Sequence, residues 1–443
     1  MTFHIITFGC QMNVADSDWL ARMLRDRGMR WAEPAQADII VLNTCSVREK
    51  PELKVRSTLG RILQETGKNR SVLVAVAGCV AQQLGNTLFS FSPQVRLVAG
   101  TDAMGQIPDA LELLLANPGR TLCLTSFSTR YDERPKPREA HCGPVAYVNI
   151  MQGCDNFCTY CIVPFTRGRQ KSRSSAAILD ECRLLLEQGA REICLLGQNV
   201  NAYGLDKTSD GTSFASLLRQ VSALDPDMRL RYVTPHPKDM SHEDVALFAE
   251  LPNLCPRLHL PMQAGADHVL RRMNRRYTAG DFLSLVQALK KARPDLALST
   301  DLIVGFPGET EEEFLQTMDM VRKCGFMSSF SFCYSDRPGT RASGYADKIP
   351  APVQLDRLQR LQALQEELSS AWLAERVGAA TTVLIEGQSP RQDDTTDLCR
   401  WQGRDPYGAL VHVDLAKDAD HTGQFVDVTI THAFKHSLQG TAG

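Results

Sequence analysis

The chain predicts an α/β protein in three parts: a parallel α/β domain over residues 1–117, a partial (βα)6 barrel over 140–371 and a small antiparallel β-barrel over 374–437. Three observations predict this. Short apolar runs alternate with helical patterns over roughly the first 115 residues. The same alternation returns six times between 145 and about 345. The tail holds β-branched runs split by Gly and Asp turns.

In the first part the strand-like runs are His4–Phe8, Ile39–Asn43, Val72–Ala77 and Val95–Ala99. Amphipathic stretches near Asp16–Arg27, Pro51–Thr66 and Val80–Phe89 lie between them, and Pro51 suits a first helical turn. Residues 125–143 are polar, charged and Pro-containing, which predicts a linker. The second part offers Tyr147–Met151, Ile193–Leu196, Leu230–Val233, Arg257–Leu260, Leu296–Ile303 and Phe330–Tyr334 as strands. Helical patterns separate them at Ala176–Gln188, Phe214–Ala223, Phe282–Lys291 and Glu311–Cys324. Six βα units suit a partial barrel rather than a complete eight-fold one. Residues 353–376 form a long amphipathic helix, read as a strut between domains. After it come TTVLIEG, ALVHVDLA and QFVDVTITHAF, the strands expected of the small barrel.

Composition narrows the function. At 443 residues, 43% hydrophobic and 23% charged, the chain is ordinary for a globular protein. No apolar run approaches the roughly 20 residues of a membrane span. The opening MTFHIITFGC reads as a strand rather than a signal peptide. The expectations are a cytoplasmic location, no membrane contact and a monomer. Net charge is −2, so any nucleic-acid contact must come from local basic patches. Fourteen cysteines are many for a reducing compartment, where they point to metal or redox chemistry before disulfides. Cys123, Cys182, Cys194, Cys255, Cys324, Cys333 and Cys399 sit in contexts that suit small buried hydrophobes, while Cys142 fits neither reading cleanly.

Cys154, Cys158 and Cys161 form a C-x3-C-x2-C triplet just after the first strand of the expected barrel. Three thiolates on one short loop can hold three irons of a [4Fe–4S] cluster and leave the fourth open. An open iron can chelate the amino and carboxylate groups of S-adenosylmethionine (SAM). Zinc would want a fourth ligand, and this loop supplies none. A second set is Cys10, Cys45 and Cys79, each ending an expected parallel strand, with Gly9 and Gly78 to turn the backbone beside two of them. Strand ends share one sheet edge, so these cysteines either converge on a metal centre or are three buried thiols.

TFGCQMNVADSD, LNTCSVREK, AVAGCVAQQ, MQGCDNFCTYCIVPFTRGRQKSR, LSTDLIVGFPGET and FSFCYSDRPGTRAS together resemble the methylthiotransferase family of radical SAM enzymes. The tail is similar to a TRAM domain, an RNA-binding β-barrel. CDNFCTYCIVPFTRGR and RRMNRRYT resemble the branch that methylthiolates C2 of isopentenylated adenosine beside the tRNA anticodon. Related branches act on a threonylcarbamoyl adenosine or on a ribosomal protein aspartate. Pro235 and Ala264 depart from this branch, which usually has Ser at both positions.

The resemblance implies a SAM-binding [4Fe–4S] cluster on Cys154, Cys158 and Cys161 and an auxiliary [4Fe–4S] cluster on Cys10, Cys45 and Cys79. It also implies two uses of SAM, tRNA as substrate, an external electron donor and a sulfur source. Tyr160, Gln198, Asn199, Ser299 and Asp301 are the candidate SAM contacts. Gly305, Gly308 and Glu309 mark either a close approach to SAM or a turn. Arg167, Arg169, Arg275 and Arg276, with Lys171, Arg173, Arg271 and Arg272 near them, are candidate phosphate contacts. His236 and His259 read as structural histidines. A competing reading is an RNA-binding protein with purely structural clusters, which would not cleave SAM.

Overall fold

The computed structural model describes residues 1–46, 51–66, 72–134, 143–390, 392 and 398–443. Cys142 and residues 135–142 of the expected linker lie outside them.

The N-terminal sheet contains β1 (Thr2–Thr7), β2 (Arg30–Trp31), β3 (Ile39–Thr44), β4 (Leu73–Gly78), β5 (Val95–Ala99) and β6 (Leu122–Leu124), in the order β2-β1-β3-β4-β5-β6. All neighbours are parallel. Every residue of β3 and β4 is buried, as continuous apolar strands covered on both faces should be. One apolar cluster, with Trp19 and Leu111, fills one face; another, with Val55 and Leu88, fills the other. The covering helices are α1 (Gln11–Asp26), α2 (Pro51–Thr66), α3 (Cys79–Leu84) and α4 (Ile107–Ala116). The helix expected near Asp16 begins earlier, at Gln11, and β2, β6 and α4 add to the sequence reading.

The central part opens with β7 (Val145–Asn149), then a two-stranded ribbon of β8 (Met151–Gln152) and β9 (Lys171–Ser172) around α5 (Val163–Thr166). Five more parallel strands follow: β10 (Glu192–Leu196), β11 (Arg229–Tyr232), β12 (Arg257–His259), β13 (Ala297–Val304) and β14 (Ser328–Cys333). They alternate with α6 (Ser175–Glu187), α7 (Phe214–Ser222), α8 (His242–Glu250), α9 (Asp267–Arg272), α10 (Ala279–Ala292) and α11 (Glu311–Cys324). The six main strands form two ladders, β7-β10-β11 and β12-β13-β14, joined by a parallel bridge from Leu230 to Leu254. The pairing with β11 ends there because the Arg257 N–H turns back to the Cys255 carbonyl at 2.7 Å.

Helix α12 (Ala351–Ala374) bears on the core through Arg357, which bonds Glu309, and Gln365, which donates to the Phe326 carbonyl. Trp372 packs edge-on against Tyr407 of the C-terminal barrel. That barrel comprises β15 (Ala380–Gln388), β16 (Leu398–Arg404), β17 (Leu410–Ala416), β18 (Phe425–Ala433) and β19 (Leu438–Ala442), closed in the order β15-β16-β17-β19-β18. It is not purely antiparallel as expected: β17 and β19 pair in parallel, because the chain crosses β18 before returning. The expected linker is also tied down where it is described. Arg134 pairs with Asp16 at 2.7 Å, and the Ser128 N–H donates to Asp102 at 2.6 Å.

Candidate functional site

Cys10, Cys45 and Cys79 follow β1, β3 and β4, three adjacent parallel strands, and so share the C-terminal edge of one sheet. Gly9 sits at φ 113°, and a Cβ there would lie 2.9 Å from the Cys45 sulfur, so glycine alone lets Cys10 approach Cys45. Cys10 caps α1 and donates to Asn13 Oδ1 at 3.6 Å. Asn13 is buried and ties the first two loops together: its amide donates to the carbonyls of Phe8 and Thr44. A hydrogen bond from Cys45 holds the Cys10 thiol down to about 5, helped by the Arg167 charge and backbone N–H groups, against the opposing effect of burial.

Cys154, Cys158 and Cys161 lie on the loop after β8. Cys154 and Cys161 each feel the charge of Cys158. Burial pushes Cys154 up to about 11 and Cys161 up to about 12. Such thiols ionise on binding metal rather than before it. Cys158 is buried, and Arg275 Nη1 points at its sulfur from 3.5 Å. Among the described residues no three His, Cys, Asp or Glu side chains could share a single metal ion. A cubane asks for something different, since each thiolate takes its own iron.

Gln198 joins the two loops. Its Oε1 accepts from the Gly153 N–H at 2.5 Å, and its amide reaches Met12 Sδ. Met12 and Ala15 of α1 pack on Cys194 and Leu196, whose side chains face the inside of the half-barrel. Helix α1 thus covers the β7–β10 half of the lumen. The opposite half carries Ser299 and Asp301 of β13, His259 of β12 and, in register with β13, Phe330 and Phe332 of β14. His259 bonds Ser299 Oγ at 3.1 Å and sits 3.3 Å from Asp301 Oδ2. Phe330 and Phe332 are 55% and 48% exposed.

The other candidates fall in varied places. Asn199 donates to Asp239 at 2.7 Å, while its buried Oδ1 has no protein partner. Tyr160 packs near Phe306 and Ala264, with its hydroxyl 3.5 Å from Arg275. Gly305 and Glu309 close on α12: Glu309 accepts from Gly305 N at 2.6 Å and from Arg357 at 2.9 Å, which is a packing turn. His236 is buried, with one ring nitrogen accepting from Lys238 N–H and the other unpartnered. Burial, then the charges of Arg275 and Lys238, hold it down to about 2.

Four expected phosphate contacts are corrected. Arg167 and Arg275 are buried, 5% and 4% exposed: Arg167 turns inward to Asn13 Oδ1 at 3.2 Å, and Arg275 points at Cys158 Sγ from 3.5 Å. Lys171 and Arg173 are buried too, paired with Asp102 and with Glu133 and Glu181. Arg169 and Arg276 remain exposed, Arg169 in a two-pronged pair with Asp155.

The family model described as Radical SAM superfamily matches residues 148–321, and that described as Uncharacterized protein family UPF0004 matches residues 2–100. A tRNA-2-methylthio-N(6)-dimethylallyladenosine synthase of Nitratidesulfovibrio vulgaris is 56% identical over 438 residues, covering 99% of this chain and 97% of the relative. A protein of the same name from Lawsonia intracellularis is 52% identical, covering 98% and 97%. The chain belongs to the tRNA-2-methylthio-N(6)-dimethylallyladenosine synthase family. The fold agrees: the radical S-adenosylmethionine methyltransferase TsrM from Kitasatospora setae, solved with cobalamin and a [4Fe–4S] cluster, superposes with a TM-score of 0.56 at 17% identity, covering 77% of this chain and 76% of that one.

As a radical SAM protein, this member of the synthase family uses a [4Fe–4S] cluster and SAM. The C-x3-C-x2-C thiols, the nearby Arg275 and the unpartnered Asn199 Oδ1 suit that pair of groups: soft ligands, a counter-charge, and an acceptor for an ammonium. Sequence reasoning missed Asn13, Asp239 and the inward turn of Arg167 and Arg275. The asparagines and glutamines around the cysteines were the available signal, since buried amides gather where loops must be cross-tied.

Proposed function

We propose that the chain places a methylthio group on C2 of N6-dimethylallyladenosine beside the tRNA anticodon, using two SAM. One [4Fe–4S] cluster would sit on Cys154, Cys158 and Cys161, and an auxiliary [4Fe–4S] cluster on Cys10, Cys45 and Cys79. The relatives' shared name supports the substrate and product. The observation that carries the mechanism is that two separate cysteine triads flank one half-covered lumen and meet through Gln198.

A C2–H bond of adenine yields to no acid or base side chain, so the cofactors do the hard step. Bound to these thiols, the clusters would relay the donor's electron and hold the sulfur, and SAM would supply the radical and the methyl group. The chain's own residues do the rest. Asn199, Ser299, Asp301 and the backbone around Tyr160 would line the SAM side. Phe330 and Phe332 offer a flat apolar face to a flipped-out purine and its dimethylallyl group. Arg169 and Arg276 would hold phosphates, with the TRAM-like C-terminal barrel adding RNA contacts. The reaction needs an external electron donor and a sulfur source, and a cytoplasmic setting supplies both.

The test is anaerobic. The reconstituted protein is given SAM, a reductant and tRNA bearing dimethylallyladenosine, and the digested nucleosides are read by mass spectrometry. A mass gain of one methylthio group is expected. Cys154→Ala should abolish 5′-deoxyadenosine formation, whereas Cys10→Ala should keep it and lose the methylthio product. Methylthio product from Cys10→Ala would refute the auxiliary assignment.

A further inference from the structure

We infer that Arg167 is a positioning residue of the auxiliary site, its buried guanidinium supplying the charge against which the group held by Cys10, Cys45 and Cys79 sets its reduction potential. The inference rests on the two-cluster reading.

By chain position Arg167 belongs to the other site. It caps α5, six residues after Cys161. Its backbone neighbour Thr166 is pinned to the N-terminal domain, since Thr101 Oγ1 donates to the Thr166 carbonyl at 2.8 Å. The guanidinium then crosses the domain boundary: Nη2 donates to Asn13 Oδ1 at 3.2 Å. That same oxygen lies 3.6 Å from Cys10 Sγ. One amide oxygen therefore holds the arginine and the cysteine together.

Among the described residues no carboxylate forms an ion pair with Arg167. The charges it feels are those of Cys79, Cys10, Asp16 and Cys45. Asp16 is already held by Arg134 at 2.7 Å and by Asn149 at 3.1 Å. A guanidinium cannot shed its proton, and burying one without an anion is costly. Three thiolates around a cluster carry net negative charge and are the anion this site lacks. Arg275, buried against Cys158, repeats the arrangement at the SAM-side triad. Net charge and hydrogen bonds near the sulfurs set the potential of such a cluster, and a nearby cation raises it.

The experiment compares Arg167→Met and Arg167→Lys with the wild type, all full-length and reconstituted. It reads iron content, the potential of each cluster by EPR-monitored titration, and SAM cleavage. A wild type that holds only one cluster refutes the two-cluster reading itself. With two present, Arg167→Met should shift the auxiliary potential downward and leave the other unmoved. It should keep 5′-deoxyadenosine formation and lose methylthio product. Arg167→Lys should return the auxiliary potential most of the way. If Met fails to load the auxiliary cluster but Lys loads it, the requirement for charge stands. An auxiliary potential unchanged in Met, a Lys variant shifted as far as Met, or a loss of the cluster in both overturns the inference.

Discussion

A buried charge is stable only beside its opposite, and this chain uses that rule twice over, for holding domains together and for facing sulfur. Lys171 and Asp102 are 4% and 5% exposed at their side chains and lie 2.5 Å apart, one from the core ribbon and one from the N-terminal domain. Replacing Lys171 by Met strands a buried carboxylate, and urea unfolding should show a loss of about 3–5 kcal/mol. His236 gives a pH signature. Its folded value is lowered to about 2 against 6.5 unfolded, so the unfolded chain binds the extra proton between those values. Its stabilising effect is complete above about pH 6.5 and is lost as pH falls below it. His236→Gln should flatten the acid limb of a stability–pH curve by up to about 1.4 kcal/mol per unit. The six cluster-candidate cysteines stand out in the sequence by their spacing and their places at strand ends. Arg167 and Arg275 do not: a run of arginines beside a motif reads as surface, and only the fold shows which of them turns inward.

Strands and helices were the most legible level. Continuous apolar runs such as β3 and β4, and helical patterns such as Glu311–Cys324, gave their elements within a residue or two. The misses have local causes. β16 alternates polar and charged residues with its buried Cys399 and Trp401, and β19 is short and carries a glycine, so neither shows an apolar run. What α1 does was not legible at all, because Met12 and Ala15 meet their partners across more than a hundred residues of chain. Ala15→Phe should over-pack that contact by about 1–3 kcal/mol. The SAM-binding cluster should still load, and SAM should still be cleaved. Methylthio product per 5′-deoxyadenosine should fall, a ratio that mass spectrometry reads directly.

At the scale of the molecule, arginines on the core strands fasten the C-terminal barrel. Arg229 donates to the carbonyls of Arg404 and Thr382 at 2.7 and 2.6 Å, and Arg231 to that of Asp405 at 3.0 Å. Hydrogen bonds from a charged donor are worth about 1.5–3 kcal/mol each. Arg229→Ala should therefore loosen the barrel: limited proteolysis after α12 should quicken and tRNA affinity should drop, while SAM cleavage without tRNA stays as it was. The order of the three parts could be read from composition and period, but their mutual seating could not. The seating has a consequence for the core's independence. Tyr147, Cys194, Leu196 and Val233 are sheltered from water by a helix that begins at a sulfur-bearing residue of another domain. A core parted from that domain would bare those four side chains to water, so the central part owes a share of its own dry interior to its neighbour.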